Sequence, residues 1–147
     1  MKKILVLCLA AAALAGTALA RNDELKMPWS DVIDGPEGKA RLDGSVRFLF
    51  GEKTLPAGAE RKGEEIISRI KKGASRNDDK TACRLAAVDA LGAMQDKAKQ
   101  IGANAVVDLV SYYKNNTFSS ATHYECHAGG TGGHLTFKAT YANIPAK

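Results

Sequence analysis

The chain has 147 residues, 45% of them hydrophobic and 25% charged, with a formal net charge of +5. That length bounds it to one small domain, and the composition excludes a disordered, collagen-like or polytopic membrane chain. Its basic residues are scattered rather than blocked, so the charge gives no footprint for nucleic acid.

Residues 1–20, MKKILVLCLAAAALAGTALA, read as an export signal. Lys2 and Lys3 form a basic n-region, residues 4–14 an apolar h-region, and Ala18-Leu19-Ala20 an A-x-A cleavage site. The apolar run is too short for a permanent span, which takes about 20 strongly apolar residues. Cys8 follows Leu7 rather than a small residue and precedes the end of the h-region, which argues against a lipoprotein signal. Cleavage after Ala20 makes Arg21 the mature N-terminus and predicts a periplasmic or secreted protein with no membrane span. Two cysteines then remain, Cys83 and Cys126. An even pair in an oxidising compartment reads first as a disulfide, with free thiols and metal ligation as the other readings.

Residues 21–44 read as an ordered but irregular arm, with Trp29 as the side chain that docks it. Within the arm, Asp34 and Pro36 have the form of an N-cap and a first-turn proline for a short helix over residues 37–42, which Asp43-Gly44 ends. Residues 45–147 make the α+β domain. Its first strand is 45–50 (SVRFLF), with Val46, Phe48 and Phe50 on one face. Residues 51–78 mix glycine, proline and charge around Ile66, Ile67 and Ile70, and read as a connection with a short helical stretch.

A long helix starts at Asp78 or Asp79 and runs to Ile101, with Gly102 as a left-handed stop. Its stripe of Cys83, Ala87, Leu91, Met94, Ala98 and Ile101 is narrow and small, which predicts close packing on a sheet. Residues 103–113 form the next strand, with Ala103, Ala105, Val107 and Leu109 on one face and Asn104, Val106, Asp108, Val110 and Tyr112 on the other. A polar turn (114–121), a short strand (122–127), a glycine turn (128–133) and a final strand (134–141) follow. In the final strand Leu135, Phe137, Ala139 and Tyr141 face inward, and His134, Thr136, Lys138 and Thr140 outward.

All three histidines and Cys126 fall between Thr122 and His134. Strand alternation sends Tyr124 and Cys126 towards the helix and His123, Glu125 and His127 towards water. Cys83, on the helix stripe, then meets Cys126, closing a loop of about 44 residues worth about 4 kcal/mol in the chain-entropy model. The outward triplet has two readings: a solvated strand face, or a transition-metal site for Zn²⁺, Cu²⁺ or Ni²⁺ with His134 joining across the glycine turn. No phosphate loop, G-x-S-x-G or H-E-x-x-H motif is present. Asp108 stands without a base or nucleophile and reads as an exposed or interface residue, while Tyr112, Tyr113 and Phe118 read as packing residues.

The stretch CRLAAVDALGAMQDKAKQIGANAVVDLV (83–110) resembles the core of the YbjQ-like family, named for heavy-metal binding, where an alanine-rich helix runs into a G-A-N-A-V-V strand. It is also similar to part of the envelope stress sensor RcsF, whose domain is disulfide-bonded. SYYKNNTFSSATHYECHAG (111–129) resembles small exported bacterial proteins, some labelled excinuclease ATPase subunits, a label the missing phosphate loop does not support. The resemblance implies a compact α+β domain and, from YbjQ-like members, a ring-like homo-oligomer. It carries over no site residue, and the expected mature start, Arg21, is not the lipidated cysteine of RcsF.

Together these readings predict an α+β fold: a mainly antiparallel sheet of three to four strands covered by one long helix and stapled by Cys83–Cys126. The expected function is that of an exported, non-enzymatic binding or interaction module of the bacterial envelope, without a cofactor, engaging a protein or small ligand. The alternative is a periplasmic Zn- or Cu-binding protein that uses His123, Glu125 and His127, with His134.

Overall fold

A computed structural model describes residues 20–73, 75 and 78–146. Apart from Ala20, the export signal read over residues 1–20 lies outside them. In chain order the elements are β1 (Asn22–Pro28), α1 (Trp29–Ile33), α2 (Pro36–Arg41), β2 (Arg47–Phe50), β3 (Glu60–Lys71), α3 (Asp79–Gln100), β4 (Ala105–Ser111), β5 (His123–Gly129) and β6 (Gly132–Asn143). A 3₁₀ turn over Tyr113–Asn115 separates β4 from β5. Among the described residues no helix is long and apolar enough to cross a membrane.

β6 organises the sheet. One of its edges is paired along its length by antiparallel β3. The other is shared: β5 takes its first residues, from His127↔His134 to Gly129↔Gly132, and β4 takes the rest, from Ser111↔Phe137 to Ala105↔Ala142. β1 pairs antiparallel with the outer side of β5, and β2 runs parallel to β4. The result is a six-stranded, mostly antiparallel sheet, larger than the three to four strands expected.

Two strands account for the difference. β1 occupies what reads as an irregular arm, because its partner β5 lies about a hundred residues away and no local pattern reports such a ladder. β3 occupies what reads as a connection with a short helical stretch. Its alternation is hidden because isoleucines lie on both faces: Ile67 is buried under α3, whereas Ile66 and Ile70 are 56% and 53% exposed.

The long helix lies where the sequence places it, and Cys83, Ala87, Leu91, Met94 and Ala98 are all buried. Its buried face is broader than the stripe, because Ala82, Ala86 and Ala90 let the helix settle onto the sheet. The approach is tight at Gly133, where an added Cβ would lie 2.6 Å from the Cys83 amide nitrogen. Cys83 and Cys126 are disulfide-bonded there, with an S–S distance of 2.02 Å and Cα atoms 5.9 Å apart. Leu135, Phe137, Ala139 and Tyr141 face the same core, as their spacing predicts. Thr136 and Thr140, expected outward, are nonetheless buried; the Thr136 hydroxyl is 2.8 Å from that of Ser68 on β3.

Other expectations change in detail. Gly35 rather than Asp34 occupies the N-cap of α2, with Pro36 at its first position. The glycine turn shrinks to Gly130-Thr131, since β5 runs to Gly129 and β6 begins at Gly132. In β4 the expected faces are reversed midway. Val107 pairs with Thr140 and Val110 with Lys138, so two β4 residues oppose one on β6, and Asp108 adopts a left-handed φ of 51°. This bulge puts Val106 and Leu109 together in the main core and leaves Ala105 and Val107 to pack with Ala142 and Ile144 behind the sheet. The Asp108 carboxylate accepts hydrogen bonds from the backbone amides of Thr54 (2.7 Å) and Leu55 (3.3 Å). Asp108 thus anchors a loop to the bulge.

Trp29 docks the start of the chain. It is 3% exposed, stacks on Phe50 with ring centroids 4.3 Å apart, and donates its indole N–H to the Ser120 carbonyl.

Candidate functional site

Where β5 peels away from β6 and β4 takes over the edge, the sheet splits. The split is bridged by polar contacts: the Tyr112 amide donates to the Thr136 carbonyl (2.7 Å) and the Glu125 amide to Ser111 Oγ (2.8 Å). The chain leaving β4 then turns back sharply, with Lys114 and Asn115 at φ values of 49° and 64°. That conformation is uncommon for residues other than glycine. Its effect is to lay Tyr113 over the split.

Tyr113 covers His127. The two rings stack at 16° with centroids 3.6 Å apart, and the edge of His134 meets the same phenol ring at 5.3 Å. Glu125 and His127 do face away from α3, as alternation predicts, but they are not solvated: they are 9% and 7% exposed. The missing ingredient was the return of the 113–118 segment over that face.

The expected triplet is divided. Glu125 and His127 touch, with His127 Nε2 2.7 Å from Glu125 Oε1. His123 stays apart at the start of β5, its Nδ1 2.9 Å from the Thr122 hydroxyl. Four residues along a strand span about 13 Å, whereas donors on one ion, with bonds of about 2 Å, lie within a few ångströms of each other. His123 and His127 therefore belong to different places on the face. His134 is the register partner of His127, so these two imidazoles do come side by side.

Glu24 was missed. It is the β1 register partner of His127, and one donor atom from each of Glu24, Glu125 and His127 lies within 4.8 Å of the others. The alternation of Leu25 and Met27 with Glu24 and Lys26 could have revealed β1 as a strand. Nothing local could have named its partner.

Lys26 holds this cluster together. Its Nζ lies 2.7 Å from Glu24 Oε1 and 2.5 Å from Glu125 Oε2, over the face of Phe118 at 3.8 Å. Burial pushes the Glu125 carboxyl upward, but hydrogen bonds from Lys26 and His127 outweigh it and hold the group below its ordinary range. Burial also works against the Lys26 ammonium, and its two carboxylate partners raise it overall. His134 is pushed down, first by burial and then by the proximity of His127.

Glu125 occupies Nε2 of His127, which leaves Nδ1 to find a partner of its own. That Nδ1 is buried and has no hydrogen-bond partner among the described residues. On this side of the hairpin lies an open pocket of about 820 Å³. Its ionisable walls are Arg21, Lys114, His127 and His134, with Tyr113 and the backbone of residues 129–132 completing it. All four ionisable groups are basic. Among the described residues no nucleophilic side chain is hydrogen-bonded to His127, whose partner is Glu125.

No family model, curated protein or solved structure matches the chain, so nothing in these comparisons links it to the YbjQ-like or RcsF-like families.

Proposed function

We propose that the protein is an exported, non-enzymatic binding module that holds a small anionic ligand in the pocket beside His127. The observation that carries this reading is the wall of that pocket: the Arg21 and Lys114 cations line it beside the His127 and His134 rings, and among the described residues no carboxylate does. A cleft lined by one sign of charge attracts ligands of the other. The backbone amides of a glycine-rich turn add donors suited to oxygen anions. Export is supported by the disulfide, which persists in oxidising compartments. Ala20 and Arg21 line the pocket too, so cleavage between them would add the new α-ammonium group to its rim. Calorimetric titration with benzoate and with inorganic phosphate tests the reading. Saturable binding of either, lost in a Lys114→Glu/His134→Asp variant, supports it. No binding up to about 10 mM, far weaker than a functional site, removes it.

A second reading has its own observation. Glu24, Glu125 and His127 offer three donor atoms within 4.8 Å, a set chemically suited to Zn²⁺ or Cu²⁺. The Lys26 ammonium already bridges the two carboxylates, so a metal ion would have to displace it. Lys26→Met discriminates. If the cluster is a metal site, removing the internal cation tightens Zn²⁺ binding; if Lys26 is the intended partner, the variant is destabilised and binds no zinc.

A further inference from the structure

The outer edge of β3 is unpaired among the described residues: β6 is its sole strand partner. It is also one of the two longest strands, with twelve residues, and among the described residues it alone carries large apolar side chains that are largely exposed, Ile66 and Ile70. A long, open edge with exposed isoleucines is a template for another strand, and most proteins blunt such edges. Here only one end is blunted. A register shift between Arg61 and Gly63, with Gly63 at a φ of 150°, bends the strand before Glu64. From Glu64 onward the edge is regular.

We infer that residues 64–72 pair antiparallel with the same segment of a second copy, with Ser68 on the twofold axis. A continuous sheet requires the two copies to match face with face, which permits only registers that place residues of the same face opposite each other. Centring on Ser68 sets Ile66 opposite Ile70 of the second copy, and Ile70 opposite its Ile66, joining four isoleucines on the exposed face. The same centring sets Glu64 opposite Lys72 twice. Moving the centre to Ile67 puts Glu64 against Ile70. Moving it to Arg69 puts Ile66 against Lys72, and centring on Ile70 sets Arg69 against Lys71. Only the Ser68 register pairs apolar with apolar and acid with base at once. The available segment fits as well, since the bulge ends the regular stretch at Glu64, as many residues before Ser68 as Lys72 lies after it. On the opposite face the chain's own contacts hold the charges: Glu65 accepts from the Tyr141 hydroxyl, and Arg69 and Lys71 reach Asp89. The partner is therefore a second copy of this chain.

Sedimentation equilibrium on the protein up to about 300 μM, which covers transient interfaces, reads the association. The expected result is a reversible dimer. Glu64→Lys weakens it about tenfold, the change expected when two opposed ion pairs become like-charge pairs. Adding Lys72→Glu to Glu64→Lys restores it. Ser68→Cys, at an exposed position on the axis, gives a disulfide-linked dimer on oxidation. A monomer throughout overturns the inference. So does a dimer that ignores Glu64→Lys, is not restored by the double charge swap, or fails to cross-link through Ser68→Cys. Circular dichroism of each variant separates loss of pairing from loss of fold.

Discussion

The imidazole of His127 lies flat against the phenol ring of Tyr113, 3.6 Å between centroids, and this contact turns an outward strand face into a covered one. Without Tyr113, His127 would stand open to water as strand alternation alone predicts. Replacing Tyr113 with Leu removes the ring–ring contact, at a cost of about 0.5–1.5 kcal/mol. It also uncovers His127. We expect diethyl pyrocarbonate to modify His127 faster in this variant, as read by peptide mass mapping, with denaturant unfolding giving the stability loss.

The Cys83–Cys126 bridge ties α3 to β5 across a separation of 43 residues. Closing a loop of that length stabilises the fold by about 4 kcal/mol in the chain-entropy model, against typical domain stabilities of about 5–15 kcal/mol. A Cys83→Ala/Cys126→Ala variant should lose that amount in urea unfolding. Adding reductant should shift the midpoint of the parent protein but leave the variant where it is.

Acid should weaken the fold in two steps. His134 is depressed from its usual 6.5, so the unfolded chain takes up this proton first, and stability falls as the pH drops below 6.5. Glu125 is also depressed, from 4.5, so its contribution is complete above that pH and is lost as the pH falls through its folded value. Unfolding midpoints between about pH 7 and pH 3 check both windows. Glu125→Gln, which breaks charged hydrogen bonds to Lys26 and His127, should cost about 1.5–3 kcal/mol near neutrality and flatten the lower window.

Gly133 lies where β6 passes close to the backbone of α3. A Cβ there meets backbone atoms of Cys83 at 2.6 Å and Ala82 at 2.8 Å, and backbone cannot swing aside. Gly133→Ala should cost about 1–3 kcal/mol by overpacking. Gly130, in the same hairpin, has open space where its Cβ would go, and Gly130→Ala should stay within about 0.5 kcal/mol. Thermal unfolding of the pair gives the comparison directly.

Sequence pattern carries the helix, the final strand and the cysteine pair well, because each rests on local periodicity. Leu135, Phe137 and Tyr141 alternate inward, and Cys83 sits on the helix stripe as Cys126 sits on the inward strand face. What escaped the pattern depends on distant partners. β1 exists because it pairs with β5, and that pairing brings Glu24 and Lys26 to Glu125. β3 carries isoleucine on both faces, which erases the alternation that would mark it. In β4 the left-handed Asp108 shifts the period by one, so the two predicted faces exchange residues after Val107. The histidine string failed for a simpler reason: on a strand, His123 and His127 are too far apart to share an ion.

The most direct test of the binding site is chemical-shift mapping of the labelled protein titrated with benzoate. The account predicts saturable shifts in the His127 and His134 rings and in the amides of residues 129–132. Shifts confined instead to the apolar groove of Phe48, Phe50 and Leu42, or no saturable shift at all, would contradict it.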